Sequence, residues 1–421
     1  MHEATRTFCC RAGFVLCCLL PTLSVGAWIG VRQSPVYARA ERAQWQTLLS
    51  RTLGLAAHVE RVEQPRPGAY VLHDVTLVDP DAPRDSAPLA TAKRLELGRT
   101  SKGLVVLGSE AEISSENLPR LWAILHERLV RGPEIATTPV QLSLSKLTLS
   151  GPVKERTLGL SEVRVQLLGN RSTARAAIEF RVAGEHGEPA RMAVERNRTA
   201  YPVATRWSIN TGATPLPCSA LAPCLGELSR LGDACTFHGY LTCETRDTTW
   251  QAVASGTFAQ LDLERLVSEQ FHHTLTGSAD VALTQAHWRD GKLIAAAGHL
   301  RSQQGTIGRS LWEAAADSLS LRLADRLRQF TDDQLRYGEL ALGFQLNEQV
   351  LQLSGHCASN IENTVLADQY GPLVLGSSSV EPIALVRALV PGSDLQVPAV
   401  REARQLIYLL PLPAAPAIDR R

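Results

Sequence analysis

The residues that could bind metal or transfer protons are scattered along the chain. His272 and His273 are adjacent, and neighbouring side chains diverge on a helix or a strand, so a metal shared between them is not expected. His287, His299 and His356 have no carboxylate at the spacing of a ligand pair. These histidines are typical of a surface or a strand edge, and the sequence predicts no metal site.

A nucleophile pattern occurs once. Ser143 and Lys146 form the S-x-x-K pattern of penicillin-recognising enzymes, which must open a helix and have partner motifs. Here it lies within an alternating strand pattern. The chain contains no G-x-S-x-G, Walker A or H-E-x-x-H sequence and no dinucleotide-binding fingerprint opening a helix. We therefore predict a protein that is not an enzyme and holds no cofactor, with a hydrolase of unrecognised type as the enzymatic alternative.

Four cysteines cluster within 26 residues: Cys218, Cys224, Cys235 and Cys243. Their spacings do not match paired C-x-x-C zinc knuckles. If this part of the chain is outside the cytoplasm, one or two disulfides are expected, and four cysteines permit three connectivities. Buried free thiols are the alternative, and the spacing alone selects no pairing.

The charge balance argues against nucleic acid as a partner. Lys and Arg number 43 against 42 Asp and Glu, which leaves a formal net charge of +1. Phosphate binding requires clustered cations. Two basic spots, Lys93-Arg94 and the segment 322–328, are better explained as solvated faces.

The segment AGFVLCCLLPTLSVGAWIGV (12–31) carries no charge and is bracketed by Arg11 and Arg32. Twenty helical residues span about 30 Å, the hydrocarbon thickness of a bilayer. The segment predicts an N-terminal transmembrane signal anchor, and a cleavable signal peptide ending near Ala27 is the alternative. The flanking arginines do not settle on which side the remaining chain lies.

Helical patterns are few after this segment. Residues 41–55 and 116–130 carry apolar residues at helical spacing, and shorter helices are predicted at 219–231, 261–272, 308–317 and 381–389. From about residue 139 onward, short alternating strands separated by turns dominate, as antiparallel hairpins with one apolar face require. A parity change between Leu144 and Leu147 predicts a bulge.

These patterns divide the chain into an anchor (1–32), a helix-strand-helix portion (33–135), repeated antiparallel strands (136–395) and a Pro- and Ala-rich tail (396–421). The predicted fold is mainly β with a few helices: a transmembrane helix followed by an elongated, curled, groove-like antiparallel sheet. On the apolar face of the repeated strands, the candidate lipid-facing residues are Val281, Leu283, Leu340, Leu342, Phe344, Leu351 and Leu353.

The order of these segments resembles a known family. A membrane span precedes LGLAAHVERVEQPRPGAYVLHDVTLVDP and the helix ENLPRLWAILHERLV. The units GSADVALTQAHWRDGKLIAAAGHLRSQQGTI and YGELALGFQLNEQVLQLSGHC follow. This arrangement is similar to the AsmA-like proteins of double-membrane bacteria, which are related to bridge-like lipid-transfer proteins. The chain is short for that family, and the cysteine cluster belongs to no pattern of it.

The resemblance implies an inner-membrane anchor, a periplasmic β-rich body and a part in lipid transport or outer-membrane biogenesis. Its expected partners are therefore membrane lipids. The physical basis would be an apolar trough that shields acyl chains, because each buried CH₂ contributes about 0.8 kcal/mol. The alternative is a closed-core envelope scaffold or interaction protein, in which the same apolar side chains are covered by other layers.

Overall fold

The computed structural model describes residues 13–32, 34–66, 68–83, 87–100, 103–131, 139–151, 157–221, 230–359 and 361–390. Strands dominate these residues and join one large open sheet of 20 strands. The prediction of a mainly β chain with a few helices is therefore confirmed. The boundaries expected at 135 and 395 lie outside the described residues, and so does the tail.

The helices lie near the two ends of the chain, in the connection after β4 and, as one short turn, after β10. The N-terminal helix α1 is preceded by a π-helical turn (Val15–Leu19), and α3 runs into a second one (His126–Arg131). The bounds are α1 Leu20–Arg32, α2 Pro35–Leu53, α3 Leu118–Leu125, α4 Cys218–Leu221, α5 Arg309–Leu319, α6 Asp325–Arg328 and α7 Ile383–Leu389.

The strands are numbered in chain order. Their bounds are β1 Ala56–Arg66, β2 Ala69–Val78, β3 Ala90–Thr100, β4 Gly103–Ser114, β5 Val140–Ser150, β6 Thr157–Gly169, β7 Thr173–Val182, β8 Ala190–Asn197, β9 Ala204–Asn210, β10 Leu216–Pro217, β11 Thr236–Arg246, β12 Thr249–Asp262, β13 Ser278–Arg289, β14 Lys292–Gly308, β15 Arg322–Leu323, β16 Gln334–Leu346, β17 Leu351–Gly355, β18 Thr364–Asp368, β19 Gly371–Leu375 and β20 Ser377–Val380.

Each strand from β1 to β9 pairs with the next one along the chain. The order continues β9–β11–β12–β13–β14–β16. At β16 the sheet divides, with β17 and β20 on one branch and β18, β19 and β15 on the other. The pairing of β4 with β5 is parallel. The sheet is therefore mixed and not wholly antiparallel as predicted, because the connection through α3 returns the chain to the same end of the sheet.

Helix α2 covers the edge of β1. The Ser50 hydroxyl accepts from the Ala57 amide at 3.0 Å, and the side chains of Gln46 and Arg42 donate to the carbonyls of Val59 and Glu60 at 3.4 and 3.0 Å. These bonds satisfy main-chain groups that an edge strand would otherwise present to another chain. The contacts run antiparallel to β1, so the helix lies along the strand.

Three predicted helices are confirmed. The pattern at 41–55 lies within α2, which begins after the N-cap Ser34 and ends at Gly54 with a φ of 71°. The patterns at 308–317 and 381–389 correspond to α5 and α7. The prediction at 116–130 is correct in position, but only its first part is α-helical before the chain widens into the π-helical turn.

Two local patterns differ from the structure in extent or in kind. The helix predicted over 261–272 is shorter than expected, because β12 continues to Asp262, whose carboxylate accepts the amides of Glu264 and Arg265 and starts the π-helical turn Glu264–Ser268. Leu319, Leu321 and Leu323 alternate as the residues of a strand do. Instead, Leu319 ends α5, where Ser320 adopts a left-handed φ of 55°. The 219–231 helix falls largely on residues outside the described ranges.

At two places, a pair of neighbouring strands switches from odd to even buried positions, or the reverse, at the same level of the sheet. In β2, Leu72 and Val75 are both fully buried although they are three residues apart, and Asp74 between them has a φ of 50°. The pairing with β3 keeps its register across this point. The same occurs at Leu144 and Leu147 in β5, whose register with β6 does not shift. The bulge predicted there is therefore a bend shared by both strands, and the register shift lies between β6 and β7.

Among the described residues, no single helix is both long and apolar enough to cross a bilayer. Val15–Val31 and Pro35–Leu53 meet the length and hydropathy requirement only as a pair, with a bend of 61° between them. The single transmembrane span expected over residues 12–31 is therefore not shown.

Close approach of strands requires glycine at Gly298 in β14. A methyl group there would overlap the carbonyl oxygen of Ala282, and it would lie 3.1 Å from the Phe344 ring. We expect Gly298→Ala to lower the free energy of unfolding by about 1–3 kcal/mol, measured by denaturant titration. Gly98→Ala in β3 is the matched control, because a methyl group at Gly98 meets nothing within 4 Å. Equal effects of the two substitutions would contradict this packing.

Candidate functional site

One face of the sheet carries an unbroken row of apolar side chains. Cross-strand partners lie on the same face, so the pairings themselves define the row. Its middle part, the central row, crosses six strands from β5 to β11, and all of its side chains are half-buried. The central row consists of Leu142, Val165, Ile178, Met192, Ile209 and Leu241.

The row continues towards the C-terminus with smaller and then larger side chains. Leu241 pairs with Ala254, which is followed by Ala286 and Ala296 in β13 and β14. Leu346 and Leu351 complete it in β16 and β17. We call the side of the sheet that bears this row the apolar face.

The opposite face is mainly polar, although the side chains of Leu168, Tyr240 and Val253 are exposed on it. Four polar residues that neighbour the central row in sequence point to this opposite face: Gln141, Gln166, Ser208 and Thr242. Together with the small residues between them, they form a second cross-strand row. Further along the same strands, the Arg191 guanidinium lies 3.1 Å from the Glu179 carboxylate. The two faces therefore differ in chemistry as a half-solvated sheet does.

Helices cover the apolar face near both ends of the sheet. At the N-terminal end, the Trp45 and Tyr70 rings are 4.6 Å apart, and Leu49 of α2 belongs to the cluster around Val59 and Leu72. Beside the central row, Trp122 of α3 packs against Trp207 of β9, with 4.3 Å between the ring centroids and 55° between the ring planes. These contacts bury the strands under α2 and place α3 at the side of the central row.

At the C-terminal end, α5 and α7 pack against one another. Trp312 and Val386, which are 2% and 0% exposed, join the cluster that contains Leu351 and Leu353. Burial of the apolar face is nearly complete in this cluster, and also beside the central row at Val163 and Val194. The central row, with half-buried leucine, valine, isoleucine and methionine side chains, is less covered.

The seven candidate residues from the sequence all lie on the apolar face. Val281 pairs with Leu300, and Leu300 with Leu342; Leu283 pairs with Gly298, and Gly298 with Phe344. Val281, Leu283, Leu340, Leu342 and Phe344 are half-buried, whereas Leu351 and Leu353 are 4% and 5% exposed. Their contact with lipid remains a prediction, and the two buried leucines belong to the core cluster that also contains Trp312 and Val386.

The central row was not singled out by sequence reasoning. Val165 and Ile178 are visible as strand residues, but only the register places them beside Met192 and Ile209. A usable signal was present, because each of these strands alternates apolar with polar residues. The sequence does not reveal which strands are neighbours across the parallel β4–β5 pair.

The residues that could support catalysis, metal binding or thiol chemistry are not members of the central row. Ser143 and Lys146 are in β5 and do not open a helix, so the S-x-x-K pattern lacks its required setting. Within the described ranges, no three His, Cys, Asp or Glu side chains are grouped as metal ligands would be. Cys218 and Cys235 are in contact, Cys243 is half-buried in β11, and Cys224 lies outside the described residues.

His273 is the buried histidine of the C-terminal region, with 4% of its surface exposed. Its Nδ1 lies 3.0 Å from the hydroxyl of Ser310, which is in the first turn of α5. Burial lowers the pKa of His273, and the main-chain carbonyls of Ala388 and Leu389 oppose that effect more weakly. The neutral imidazole therefore links the β12–β13 connection to α5 through Ser310.

Stability should depend on pH through His273. Because its pKa is lower in the folded chain, the unfolded chain binds the proton first as the pH falls below about 6.5, so folding is progressively disfavoured. We expect the thermal midpoint to fall from pH 7.5 to pH 5.0, and to fall less in His273→Gln. Exposed His272 provides the control, His272→Gln. An unchanged pH dependence in His273→Gln would contradict the assignment.

The chain matches no protein-family model, no curated protein and no solved structure. The resemblance to AsmA-like proteins therefore stays a prediction.

Proposed function

We propose that the chain is a membrane-anchored, non-enzymatic envelope protein that binds lipid acyl chains along its apolar face and conducts them between membranes. The observation that carries the proposal is the half-buried central row on a sheet whose opposite face is mainly polar. An apolar stripe that is not fully covered is favourable only where another apolar surface meets it. Acyl chains provide that surface without requiring a particular side chain for recognition.

The dimensions of the central row support this ligand class. Six strands at about 4.8 Å spacing give a stripe on the order of 25 Å long. Each CH₂ removed from water contributes about 0.8 kcal/mol, so contact with only part of an acyl chain yields useful affinity. In this proposal the sheet forms an elongated, curled groove, with acyl chains against the apolar face and headgroups in water.

The N-terminal helix supports anchoring. Leu16, Leu23, Trp28 and Val31 are each more than half exposed, which is unfavourable for such side chains in water. A bilayer would cover them, and the Ser34-capped α2 would leave the membrane surface and reach the edge of β1. We place the anchor in the inner membrane and the body in the periplasm, following the resemblance to AsmA-like proteins.

A second candidate function is an envelope scaffold without lipid transport. It is favoured by the C-terminal strands, where α5 and α7 cover the apolar face and Leu353 and Val386 are almost fully buried. In that case the apolar face would be an ordinary core along its whole length. The two proposals differ in whether lipid reaches Met192.

Met192 and Ala193 are neighbours in β8 on opposite faces, which makes them a matched pair for photo-crosslinking. We expect p-benzoylphenylalanine at Met192 of the full chain to capture phospholipid in cells labelled with radioactive orthophosphate. The same group at Ala193 should give only background label, because it faces the polar side. Label on the purified, denatured chain is the measurement.

Ile209 and Ser208 in β9 form a second such pair, so the test does not depend on crosslinking at β8 alone. Background label at both Met192 and Ile209 would contradict lipid binding and favour the scaffold. Equal label on both faces would contradict the one-sided groove.

Membrane anchoring is tested by replacing two exposed residues of the N-terminal helix. Leu16→Arg with Leu23→Arg should move the chain from the carbonate-resistant pellet to the supernatant, because each central arginine costs about 2.5–3.5 kcal/mol on insertion. Leu16→Ile with Leu23→Ile is the control and should remain in the pellet. Release of the unaltered chain by carbonate would contradict the anchor.

A further inference from the structure

Cys218 and Cys235 are directly opposite one another at the start of β11. The β10–β11 ladder pairs Leu216 with Phe237 and Pro217 with Thr236, so the two cysteines occupy the next position. The Cys218 amide donates to the Cys235 carbonyl at 2.8 Å. Both residues are 0% exposed.

The two sulfur atoms are closer than separate thiols can be. Their Sγ atoms lie 2.6 Å apart, well inside the sum of two sulfur radii, with their Cβ atoms carried on paired backbone. Cys243 is in the same strand as Cys235, eight residues further along, and is half-buried. Of the described cysteines in the cluster, the backbone therefore brings only Cys218 and Cys235 together.

We infer that Cys218 and Cys235 form a disulfide in the mature protein. The bond requires loss of two thiol protons and two electrons. A thiol–disulfide oxidoreductase in its disulfide form is the oxidant: its S–S bond breaks, it leaves as a dithiol, and the Cys218–Cys235 bond forms. This step goes beyond lipid binding and is independent of it.

The exchange passes through a mixed disulfide between one of the two cysteines and the oxidant, which the other cysteine then resolves. Because both residues are fully buried in the folded chain, the exchange takes place before this part of the sheet closes.

The disulfide would close a loop through residues 219–234 and hold α4 against the start of β11. Its position is next to Phe237, whose ring packs on Phe258 of the neighbouring strand at 4.7 Å. The bond would therefore fasten the loop to the apolar face. It also requires an oxidising compartment, because cytosolic thiols are kept reduced.

The test is mass spectrometry of the full chain from double-membrane bacterial cells, acid-quenched and alkylated with N-ethylmaleimide under denaturing conditions without reductant. We expect a linked peptide pair containing Cys218 and Cys235, lighter by two hydrogens than the reduced pair. Cys357 is the internal control, because its burial raises its thiol pKa to about 11 and it should be recovered as an alkylated thiol. Recovery of Cys218 and Cys235 in alkylated form would overturn the inference, and so would a link from either of them to Cys224 or Cys243.

Variants give an independent readout. Cys218→Ser with Cys235→Ser should lower the thermal midpoint and make it insensitive to reductant, whereas the Cys243→Ser control should keep both the linked peptide and the reductant effect. An unaltered chain whose midpoint ignores reductant would also contradict the bond. The photo-crosslinking at Met192 does not depend on these cysteines, so failure of the disulfide and failure of lipid binding are distinguishable.

Discussion

The structure depends on cross-strand register. In a sheet, a slip of one residue moves every side chain of a strand to the other face, so an apolar row across many strands exists only if each pairing is correct. Here the row is maintained from Leu142 to Leu351, across strands joined by hairpins and strands joined by longer connections. The polarity of the two faces, the covering by helices and the proposed ligand all follow from this single requirement.

Positive-φ residues allow the strands to bend without losing that register. Asp74 and Glu162 each occupy a left-handed conformation, with φ of 50° and 51°, at points where apolar positions change from one parity to the other. Because β3 and β5 change parity at the same levels, their pairings with β2 and β6 are preserved, whereas the register between β6 and β7 shifts by one residue beside Glu162. A bend in one strand alone would have turned the following apolar residues to the polar face.

The same bends explain what could be predicted from the sequence. Strands with uninterrupted alternation, such as those containing Ile178 or Leu342, were predictable from period alone. β3 was not, because Lys93 and Arg94 separate Ala92 from Leu95 and break the alternation that places both on the apolar face. The parallel pairing of β4 with β5 was also not predictable, because it depends on the path of the connection between them, which the local residue pattern does not encode.

The candidate site was predictable in kind but not in place. The seven residues chosen from the sequence share the apolar face, yet Leu351 and Leu353 are buried in the core, and the half-buried central row lies several strands earlier. Burial depends on which elements return over the sheet, and the alternation within a single strand does not show this. The contact of Cys218 with Cys235 was similarly one of three open pairings until the β10–β11 ladder aligned them.

The run of hairpins from β5 to β9 has a consequence for how such a chain can change in length. Within the described residues, each of these strands pairs with its two neighbours in the sheet, so a pair of strands resembles one repeat in a linear array. Adding or removing a two-strand unit alters the span of the stripe by about 10 Å and leaves the terminal helices seated on their own strands. A single extra strand would instead deliver the chain to the opposite end of the sheet. Growth by whole hairpins is therefore the step that this architecture permits.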